Sequence, residues 1–207
     1  PIAHVESGLR SLDSSMPEEI NRVLTDHISD LLFATSEFAV NNLQKEGIPE
    51  SSILLVGNVM IDTLFSNLEK ISKNSILTDN ELIPGEYDVL TLHRPQNVDF
   101  RNKLQSILDA LCTKNFNKKI VFPMHPRTKK SIENFSLQRI LDEHDFLTIP
   151  PVGYHSFIKL ISNSRSIWTD SGGIQEESTV LGIPCFTLRE NTERPITIKL
   201  GTNKLIT

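Results

Sequence analysis

Short apolar runs alternate with longer amphipathic segments along most of the chain. Each run has the length of a buried strand, and most intervening segments repeat apolar residues at helical spacing. The runs that predict strands lie at residues 31–35, 53–56, 88–92, 119–122, 146–149, 166–169 and 185–188. Another run opens the chain and ends near Glu6, and a last strand pattern begins at Asn203. This alternation predicts an α/β fold with parallel sheets covered by helices.

The helical segments carry start and stop signals. Residues 17–30 open with Pro17 and two acids, which predicts a helix N-terminus. The apolar residues of this segment recur at helical spacing: Ile20, Val23, Leu24, Ile28 and Leu31. They predict an amphipathic helix. Farther along, Ser36 is a predicted N-cap, and Gly47 is the predicted stop of the helix that follows it.

Residues 70–86 interrupt the alternation. They are polar and weakly periodic, which predicts a flexible connection. A domain boundary is predicted at residues 57–58, because a complete mononucleotide-type fold can be counted after it. Residues 1–57 are then the last part of one Rossmann-like domain, and residues 58–207 are a second one. The chain opens without Met on a strand pattern, so we expect it to be an excerpt of a longer protein.

Composition excludes several classes of protein. The chain has 207 residues and a net charge of −5, with no basic stripe that would follow a nucleic-acid backbone. Cys112 and Cys185 lie in apolar segments without metal-ligand spacing, which predicts buried free thiols. No apolar run approaches the roughly 20 residues that span a bilayer. We therefore expect a globular cytoplasmic protein that binds neither nucleic acid nor membrane.

The run at residues 170–177 lies between a predicted strand and a helix-compatible stretch. Because Gly172 and Gly173 lack a Cβ, backbone N–H groups beside Ser171 could approach a phosphate at the helix N-terminus. The helix dipole also favours an anion there. Glu177, about one turn farther on, could bond a ribose hydroxyl. The alternative is that the glycines only form a tight turn between strand and helix.

Histidines follow two other predicted strands. His93 is followed by Arg94, and His125 is followed closely by Arg127. In open α/β sheets, ligands lie beyond the carboxyl ends of the strands, where these residues fall. Such a pair could bind a diphosphate or transfer a proton. The alternative is a surface histidine beside a solvated arginine. Two strand ends of this kind favour a polyanionic ligand.

Carboxylates form a second group of candidates. Glu6 ends the first strand, and Glu18 and Glu19 open the next helix. They could act as general acid and base if their environments separate their pKa values, although Glu18 and Glu19 could merely complement the helix dipole. Arg194 could reach a phosphate or a sugar hydroxyl, or could pair locally with Glu193. No cluster has the spacing of a zinc or calcium site, and no dinucleotide fingerprint is present, so neither metal nor cofactor is predicted.

Six motifs keep the order and spacing of one known family. They lie at residues 4–10, 17–22, 57–58, 92–94, 170–177 and 192–195. Over its whole length the chain resembles the non-hydrolysing UDP-N-acetylglucosamine 2-epimerase family. The resemblance implies two Rossmann-like domains with the active site in the cleft between them. The first of these domains would be only partly present in this chain.

The resemblance also implies roles for particular residues. Those implied at the diphosphate are Ser171, Gly172, Gly173, His93 and Arg194. Glu177 is implied at the ribose, and Phe157 with the Val152 backbone is implied at the uracil. Glu6 and Glu18 match family carboxylates implicated in the chemistry, and His93 is implied beside them as a catalytic group.

Arg94 and His125 match a region in which some bacterial members bind an activating substrate molecule. The activity implied by the resemblance is inversion of C2 of UDP-N-acetylglucosamine by elimination and re-addition of UDP, to supply surface polysaccharide. A homodimer without a cofactor is expected. Three alternatives stay open: an epimerase acting on a related UDP-diacetamido sugar or its uronate, a hydrolysing enzyme that releases UDP, and a UDP-sugar glycosyltransferase of similar architecture.

Overall fold

The computed structural model describes residues 1–14, 16–114 and 118–207, with the backbone alone at residue 114. The chain folds into two compact units, residues 1–66 with 191–200 and residues 67–190 with 201–207. Both are built from parallel strands and helices, which confirms the predicted α/β class. The boundary at residues 57–58 stays a prediction about domains; the compact units of this chain divide after Ser66.

The first unit contains a parallel sheet in the order β1-β2-β3. Its strands are β1 (Ala3–Ser7), β2 (Leu31–Ala34) and β3 (Ile53–Leu55). Its first helices are α1 (Pro17–Ile28), α2 (Glu37–Lys45) and α3 (Val59–Ser66), with a 3₁₀ turn at Glu50–Ser52. Central strand β2 and helix α2 supply the core residues Leu32, Ala34, Ala39 and Leu43. The sheet therefore packs against α2 through apolar side chains.

Local signals set the ends of α2 as predicted. The Ser36 side chain accepts a hydrogen bond from the Ala39 N–H at 3.3 Å, which satisfies one of the unpaired donors of the first turn. At the other end Gly47 takes a φ of +84°, a left-handed conformation that glycine adopts without strain. The N-cap and stop predicted for this helix are confirmed.

The second unit contains a six-stranded parallel sheet. Its strands are β4 (Tyr87–Thr91), β5 (Lys119–Pro123), β6 (Phe146–Ile149), β7 (Ser166–Thr169), β8 (Cys185–Thr187) and β9 (Asn203–Leu205). Its helices are α4 (Leu68–Ser72), α5 (Ile76–Asp79), α6 (Pro95–Val98), α7 (Arg101–Lys114), α8 (Pro126–Asn134), α9 (Gln138–Asp142), α10 (Tyr154–Ser162) and α11 (Gly172–Leu181). Between β8 and β9 the chain returns to the first unit and forms α12 (Pro195–Lys199).

The order of these six strands is β6-β5-β4-β7-β8-β9. It is the 3-2-1-4-5-6 order of a doubly wound sheet, and the direction of winding reverses between β4 and β7. The core beneath this point includes Leu90, Leu104, Leu108 and Phe122, which are fully buried. A rigid sheet thus carries the strand ends at the switch point, where such folds bind ligands.

Residues 70–86 do not form the flexible connection that their composition predicted. They include α4 and α5, and they bury Ile71, Leu77 and Leu82. Asn74 shows why the composition misleads: its side-chain oxygen accepts from the Ile76 N–H at 3.0 Å, and its amide donates to Ser156 at 3.0 Å. The polar residues terminate and pin short helices, while a few apolar side chains pack inward.

Helix α1 follows its predicted course but buries an unexpected face. Ile20, Leu24 and Ile28 are exposed in the described chain, whereas Glu19 and Asp26 are buried. A buried carboxylate is stabilised only where donors surround it. The pattern of apolar residues therefore predicts the helix, but it does not predict that two of its carboxylates are buried.

We expect the second unit to unfold in alkali because of Tyr87. This side chain is 1% exposed and its hydroxyl donates to the Leu160 carbonyl at 2.7 Å. Burial raises its pKa well above the ordinary value, so the folded state holds the phenolic proton more tightly than the unfolded state. This stability is fully present below pH about 10 and is lost as the pH rises towards the folded-state pKa.

Tyrosinate absorbance and circular dichroism across this range test the expectation. The pKa of Tyr154 is raised to about 12, chiefly by burial, and we expect this side chain to ionise before the second unit unfolds. Tyr87 should ionise only when the unit unfolds. Tyr87→Phe should remove the Tyr87 contribution to the alkaline transition. Ionisation of Tyr87 near pH 10 in a fully folded unit would contradict the prediction.

Candidate functional site

The ends of β4 and β7 meet through a histidine and a buried carboxylate. His93 Nδ1 lies 2.8 Å from Asp170 Oδ1, and the His93 backbone N–H donates to both carboxylate oxygens at 3.2 and 3.1 Å. Asp170 is 0% exposed, whereas the His93 side chain is 42% exposed. The arrangement presents a partly open imidazole backed by a fully enclosed negative charge.

The same carboxylate organises the residues after His93. Its Oδ2 accepts from the Arg94 N–H at 2.9 Å and from the Asn97 amide at 3.2 Å, while Arg94 Nε donates to the Asp170 carbonyl at 2.8 Å. Burial by itself would raise the pKa of Asp170, but the hydrogen bond and charge of His93 and the backbone N–H groups hold it below its ordinary value. Asp170 is therefore an ionised carboxylate.

Helix α11 begins two residues after Asp170 with the predicted glycine pair. Ser171 takes the N-cap position with extended backbone and no side-chain capping bond, and its N–H donates to Thr169 Oγ1 at 3.0 Å. Gly172 and Gly173 form the first turn. A helix N-terminus carries partial positive charge and N–H groups without intrahelical partners, so this turn suits an anion.

A buried polar chain supports the start of α11 from β8 and β9. Thr187 Oγ1 donates to Asn203 at 2.6 Å, Asn203 Nδ2 donates to Gln175 at 2.9 Å, and Gln175 Nε2 donates to the Ser171 carbonyl at 3.2 Å. Partnered polar groups of this kind fix their geometry, because an unpaired group in the same place would cost desolvation energy. These hydrogen bonds anchor the N-terminus of α11 to β8 and β9.

Glu177 lies on the same helix and is buried. Tyr154, at the start of α10, interacts with it: burial first, and then the charge and hydrogen bond of Glu177, raise the pKa of Tyr154 to about 12. Val152, just before α10, and Phe157, on its first turn, are both half-buried. Phe157 and Val152 thus lie on or just before the helix that contacts Glu177.

His125 follows β5 in the position predicted from the sequence. Its ring centroid lies 6.0 Å from that of His93, and its Nδ1 accepts from the Arg127 N–H at 3.2 Å as the cap of α8. The Arg127 guanidinium forms two hydrogen bonds with Asp99, at 2.8 and 2.5 Å. The strand ends at His93 and His125 therefore adjoin each other, as expected for neighbouring parallel strands.

In the first unit, Glu6 lies in a strained bulge at the end of β1. Its φ is +65°, a conformation that costs about 1–2 kcal/mol for a residue with a Cβ. Its Oε1 atom is buried and has no hydrogen-bond partner among the described residues. Strain together with an unsatisfied carboxylate oxygen is typical of a functional position.

Gly8, two residues farther on, allows the backbone to pass close to α2. Its φ is +77°, and a Cβ built there would lie 2.4 Å from the Ala39 carbonyl oxygen. The Gly8 carbonyl accepts from the Asn42 amide at 2.9 Å. No side chain fits at this position unless the backbone of α2 or of the bulge moves.

We expect Gly8→Ala to destabilise the first unit more than Gly47→Ala does. Gly47 also has a positive φ, of +84°, but no atom of the described residues lies within 4 Å of a Cβ there. Gly47→Ala should cost about 1–2 kcal/mol from the backbone conformation, and the clash at Gly8 should add about 1–3 kcal/mol. Urea unfolding followed by circular dichroism measures the free energy of unfolding of both variants. Equal losses would mean that Gly8 does not lie as close to the Ala39 carbonyl as the structure shows.

A buried ion network holds the same bulge to α1 and α2. Asp26 of α1 is 0% exposed and lies 2.5 Å from His4 Nδ1, 2.7 Å from Arg10 Nη2 and 3.1 Å from the Gly8 N–H. Arg10 also makes two bonds of 2.7 Å to Glu46. Burial would lower the pKa of Arg10, but the hydrogen bonds to Glu46 and Asp26 raise it above its ordinary value. Asp26 is thus the central anion of the network.

The other carboxylates of α1 lie in different environments. Glu18 is exposed on the first turn, whereas Glu19 is buried and accepts from the backbone N–H groups of Ser11 and Leu12 at 2.9 to 3.0 Å. Arg22 lies 3.0 Å from Glu19. Glu19 therefore organises the loop before α1, and the structure leaves Glu18 as the open carboxylate of this pair.

Arg194 belongs to the first unit, where it forms a buried pair. Its Nη1 lies 2.6 Å from Glu193 Oε1, and Glu193 is 1% exposed. Arg22 Nη2 lies 3.6 Å from the same oxygen. Arg194 therefore does pair locally with Glu193, as one alternative from the sequence expected, but the pair is buried rather than solvated.

The structure brings the sequence candidates into two groups. At the switch point of the second unit, His93 and Arg94 contact Asp170, which precedes the turn at residues 171–173, and His125 adjoins His93. Glu6, Glu18 and Arg194 belong to the first unit. No role was predicted for Asp26, which holds the bulge beside Glu6, or for Asp170, which contacts His93 and Arg94. The motif at residues 170–177 contained Asp170, so its position beside the glycines was the available signal.

Two further features concern the described residues, those outside positions 15 and 115–117. No group of three or more His, Cys, Asp or Glu side chains is placed to hold a metal ion. Among the same residues, none of the helices combines the length and apolar character needed to cross a bilayer.

The strand order of the second unit and the glycine turn at its switch point define a Rossmann-like protein. The family model for UDP-N-acetylglucosamine 2-epimerase matches residues 1–207. The chain belongs to that family. The UDP-N-acetylglucosamine 2-epimerase of Methanocaldococcus jannaschii is 47% identical over 211 residues, which cover 99% of this chain and 58% of that protein.

Two other relatives extend the comparison. The UDP-2,3-diacetamido-2,3-dideoxy-D-glucuronate 2-epimerase of Pseudomonas aeruginosa is 40% identical, over 100% of this chain and 56% of that protein. The crystal structure of M. jannaschii UDP-GlcNAc 2-epimerase in complex with UDP-GlcNAc and UDP matches with a TM-score of 0.91 and 48% identity, over 99% of this chain and 57% of that one. The chain thus spans somewhat more than half the length of these relatives.

Proposed function

We propose that this chain carries the nucleotide-binding part, and two carboxylates, of an enzyme that converts UDP-N-acetylglucosamine to UDP-N-acetylmannosamine for surface polysaccharide. The observation that carries the proposal is the site around Asp170. There His93, Arg94 and the N-terminus of α11 meet at the switch point of the sheet, in a chain that matches the epimerase family throughout. The epimerase names of its relatives favour this activity over a glycosyltransferase.

In this proposal the second unit holds UDP. The diphosphate binds at Ser171, Gly172 and Gly173, where the first-turn N–H groups without intrahelical partners and the helix dipole favour an anion. His93 and Arg194 are the further groups proposed for the diphosphate, on the resemblance to the family alone. The buried carboxylate of Glu177 accepts a hydrogen bond from the ribose, and Phe157 with the Val152 backbone lines the uracil pocket.

The proposed chemistry is elimination followed by re-addition. A base removes the C2 proton while the C1–O bond breaks, which leaves a glycal and UDP. UDP then adds back to C1, and a proton is delivered to the opposite face of C2. Glu6 and Glu18 are the carboxylates proposed for these proton transfers, and His93 is the third proposed catalytic group. The cationic and helix-terminal groups stabilise the departing diphosphate.

Proton NMR in heavy water tests the proposal. A protein with the length of the curated relatives is incubated with UDP-N-acetylglucosamine, and the C2 proton and the manno epimer are followed. We expect solvent deuterium at C2 in the epimer and no accumulation of free sugar. Absence of both exchange and epimer would overturn the proposal, and accumulation of free sugar with UDP would indicate a hydrolysing enzyme instead.

A related substrate is the second candidate function. The 40% identity to the P. aeruginosa diacetamido-glucuronate epimerase favours it, because that relative is named for a UDP sugar that also carries an acetamido group at C2. The NMR experiment with the diacetamido sugar nucleotide and its uronate separates the two. The better substrate is the one with the higher kcat/KM.

We further propose a cytoplasmic homodimer in which Arg94 and His125 contribute to activation by a second substrate molecule. These proposals rest on the resemblance to the family and on the adjacency of His93 and His125, whose ring centroids are 6.0 Å apart. Light scattering measures the oligomeric state. A sigmoidal dependence of rate on substrate, converted to a hyperbolic one by His125→Ala, is the expected sign of activation.

A further inference from the structure

We propose that Asp170 is a positioning residue. It fixes His93 in the Nδ1–H tautomer and holds the imidazole in a fixed position relative to the N-terminus of α11. The catalytic consequence rests on the proposed function, whereas the tautomer is a property of the chain itself. Asp170 is a buried carboxylate whose contacts divide between a ring nitrogen on one side and amide donors on the other.

The two oxygens of Asp170 have different surroundings. Oδ2 accepts from three N–H groups: those of His93 at 3.1 Å, of Arg94 at 2.9 Å and of the Asn97 amide at 3.2 Å. Oδ1 faces His93 Nδ1 at 2.8 Å and the His93 N–H at 3.2 Å. All these partners are hydrogen-bond donors. The surroundings therefore suit an ionised carboxylate and provide no acceptor for the O–H of a protonated one.

This arrangement decides which ring nitrogen of His93 carries the proton. An ionised carboxylate can only accept, so Nδ1 must be the protonated nitrogen of neutral His93. Nε2 then keeps its lone pair and is the nitrogen that can take up a proton. The other charged or titratable groups around His93 are Arg94 and His125, and neither replaces the carboxylate at Nδ1 in the described contacts.

Asp170 also couples His93 to the phosphate turn. It directly precedes Ser171, and its own carbonyl accepts from Arg94 Nε at 2.8 Å. Thr91 and Thr169 hydroxyls bond across β4 and β7 at 2.7 Å just below it. A displacement of His93 would therefore also displace Asp170 and the start of α11. Loss of the Asp170 contacts should for this reason affect both phosphate binding and proton transfer.

Asp170→Asn provides a sharp test, because the asparagine has one preferred orientation. Its carbonyl must take the Oδ2 position, where three donors converge, and its amide must then face His93 Nδ1. A donor at that position requires an unprotonated Nδ1, so we expect His93 to switch to the Nε2–H tautomer. The shape of the side chain is unchanged while its hydrogen-bonding pattern is reversed.

Asp88 supplies a matched control. It is a buried carboxylate at the opposite end of the same two strands, where it pairs with Arg165 and accepts from Ser166 Oγ at 2.7 Å. Asp88→Asn should weaken the second unit and leave the tautomer of His93 unchanged. Any change that appears in both variants would reflect general loosening of the sheet.

The tautomer is read from imidazole ¹⁵N shifts and couplings in the 207-residue chain, at a pH about two units above the ordinary histidine pKa of about 6.5. We expect Nδ1–H in the unaltered chain and in Asp88→Asn, and Nε2–H in Asp170→Asn, with amide spectra that show all three to be folded. An Nε2–H tautomer in the unaltered chain, or an Nδ1–H tautomer in folded Asp170→Asn, would overturn the proposal.

Turnover in a protein with the length of the relatives gives the second readout. Asp170→Asn should lower kcat by roughly 10²–10⁴-fold, the range expected when general acid–base catalysis is lost, with a smaller change in KM. Retention of kcat by folded Asp170→Asn would refute a positioning role. If the unaltered protein fails to invert C2 while its His93 has the expected tautomer, the proposed function falls and the assignment of Asp170 as the residue that fixes the tautomer stands.

Discussion

Glu6→Gln leaves the first unit folded and lowers kcat for C2 inversion by roughly 10²–10⁴-fold, the range for loss of a general acid or base. The reason is structural: the Glu6 Oε1 atom is buried without a hydrogen-bond partner in the described chain, and the backbone is strained at this residue. Backbone strain and an unsatisfied buried oxygen both destabilise the fold, and proteins typically retain such features at functional positions.

Two further substitutions separate strain from chemistry. Glu6→Gly should be more stable than Glu6→Ala by about 1–2 kcal/mol, because glycine adopts a φ of +65° without steric cost. Both should lose turnover. The control is Glu37→Gln on the exposed first turn of α2, which should leave kcat unchanged. Turnover within threefold of normal in Glu6→Gln would remove Glu6 from the mechanism.

Asp26→Ala destabilises the first unit by about 3–5 kcal/mol, the range measured when one partner of a buried ion pair is removed. It leaves the Arg10 guanidinium buried with Glu46 as its remaining carboxylate partner among the described contacts, and it removes the acceptor for the Gly8 N–H and His4. The bulge that carries Glu6 should loosen as a result.

The chain allows the stability of each unit to be followed separately. Its single tryptophan and both tyrosines, Trp168, Tyr87 and Tyr154, lie in the second unit, so intrinsic fluorescence reports that unit alone. Asp26→Ala should shift the urea transition seen by circular dichroism and leave the fluorescence transition in place. Asp62→Ala, at an exposed carboxylate of α3, is the control. A loss below about 1 kcal/mol would mean that the network is solvated rather than buried.

The sequence predicted the features that depend on local chemistry. Ser36 and Gly47 mark the ends of α2 because capping and left-handed turns are properties of single residues. The strand ends at His93, His125 and Ser171 were predictable because the carboxyl ends of parallel strands lie at one edge of a sheet. What these elements share is that the pattern of a few neighbouring residues determines them.

The two buried carboxylates could not be predicted in this way. Asp170 is bonded to backbone N–H groups 76 and 77 residues away, and backbone donors leave no mark in a sequence. Asp26 lies on the polar side of an amphipathic pattern, where a carboxylate is ordinarily solvated. Its burial depends on Arg10 and on the Gly8 bulge, which come together only once the chain has folded.

The return of residues 191–200 to the first unit has a genetic consequence. Neither unit is a single uninterrupted length of chain, so a break after Ser66 leaves Glu193 and Arg194 on the fragment that holds the second unit. Exchange of the first unit between related genes would have to transfer two separate segments at once. Recombination at a single crossover would therefore produce hybrids in which Arg22 and Glu193 come from different parents.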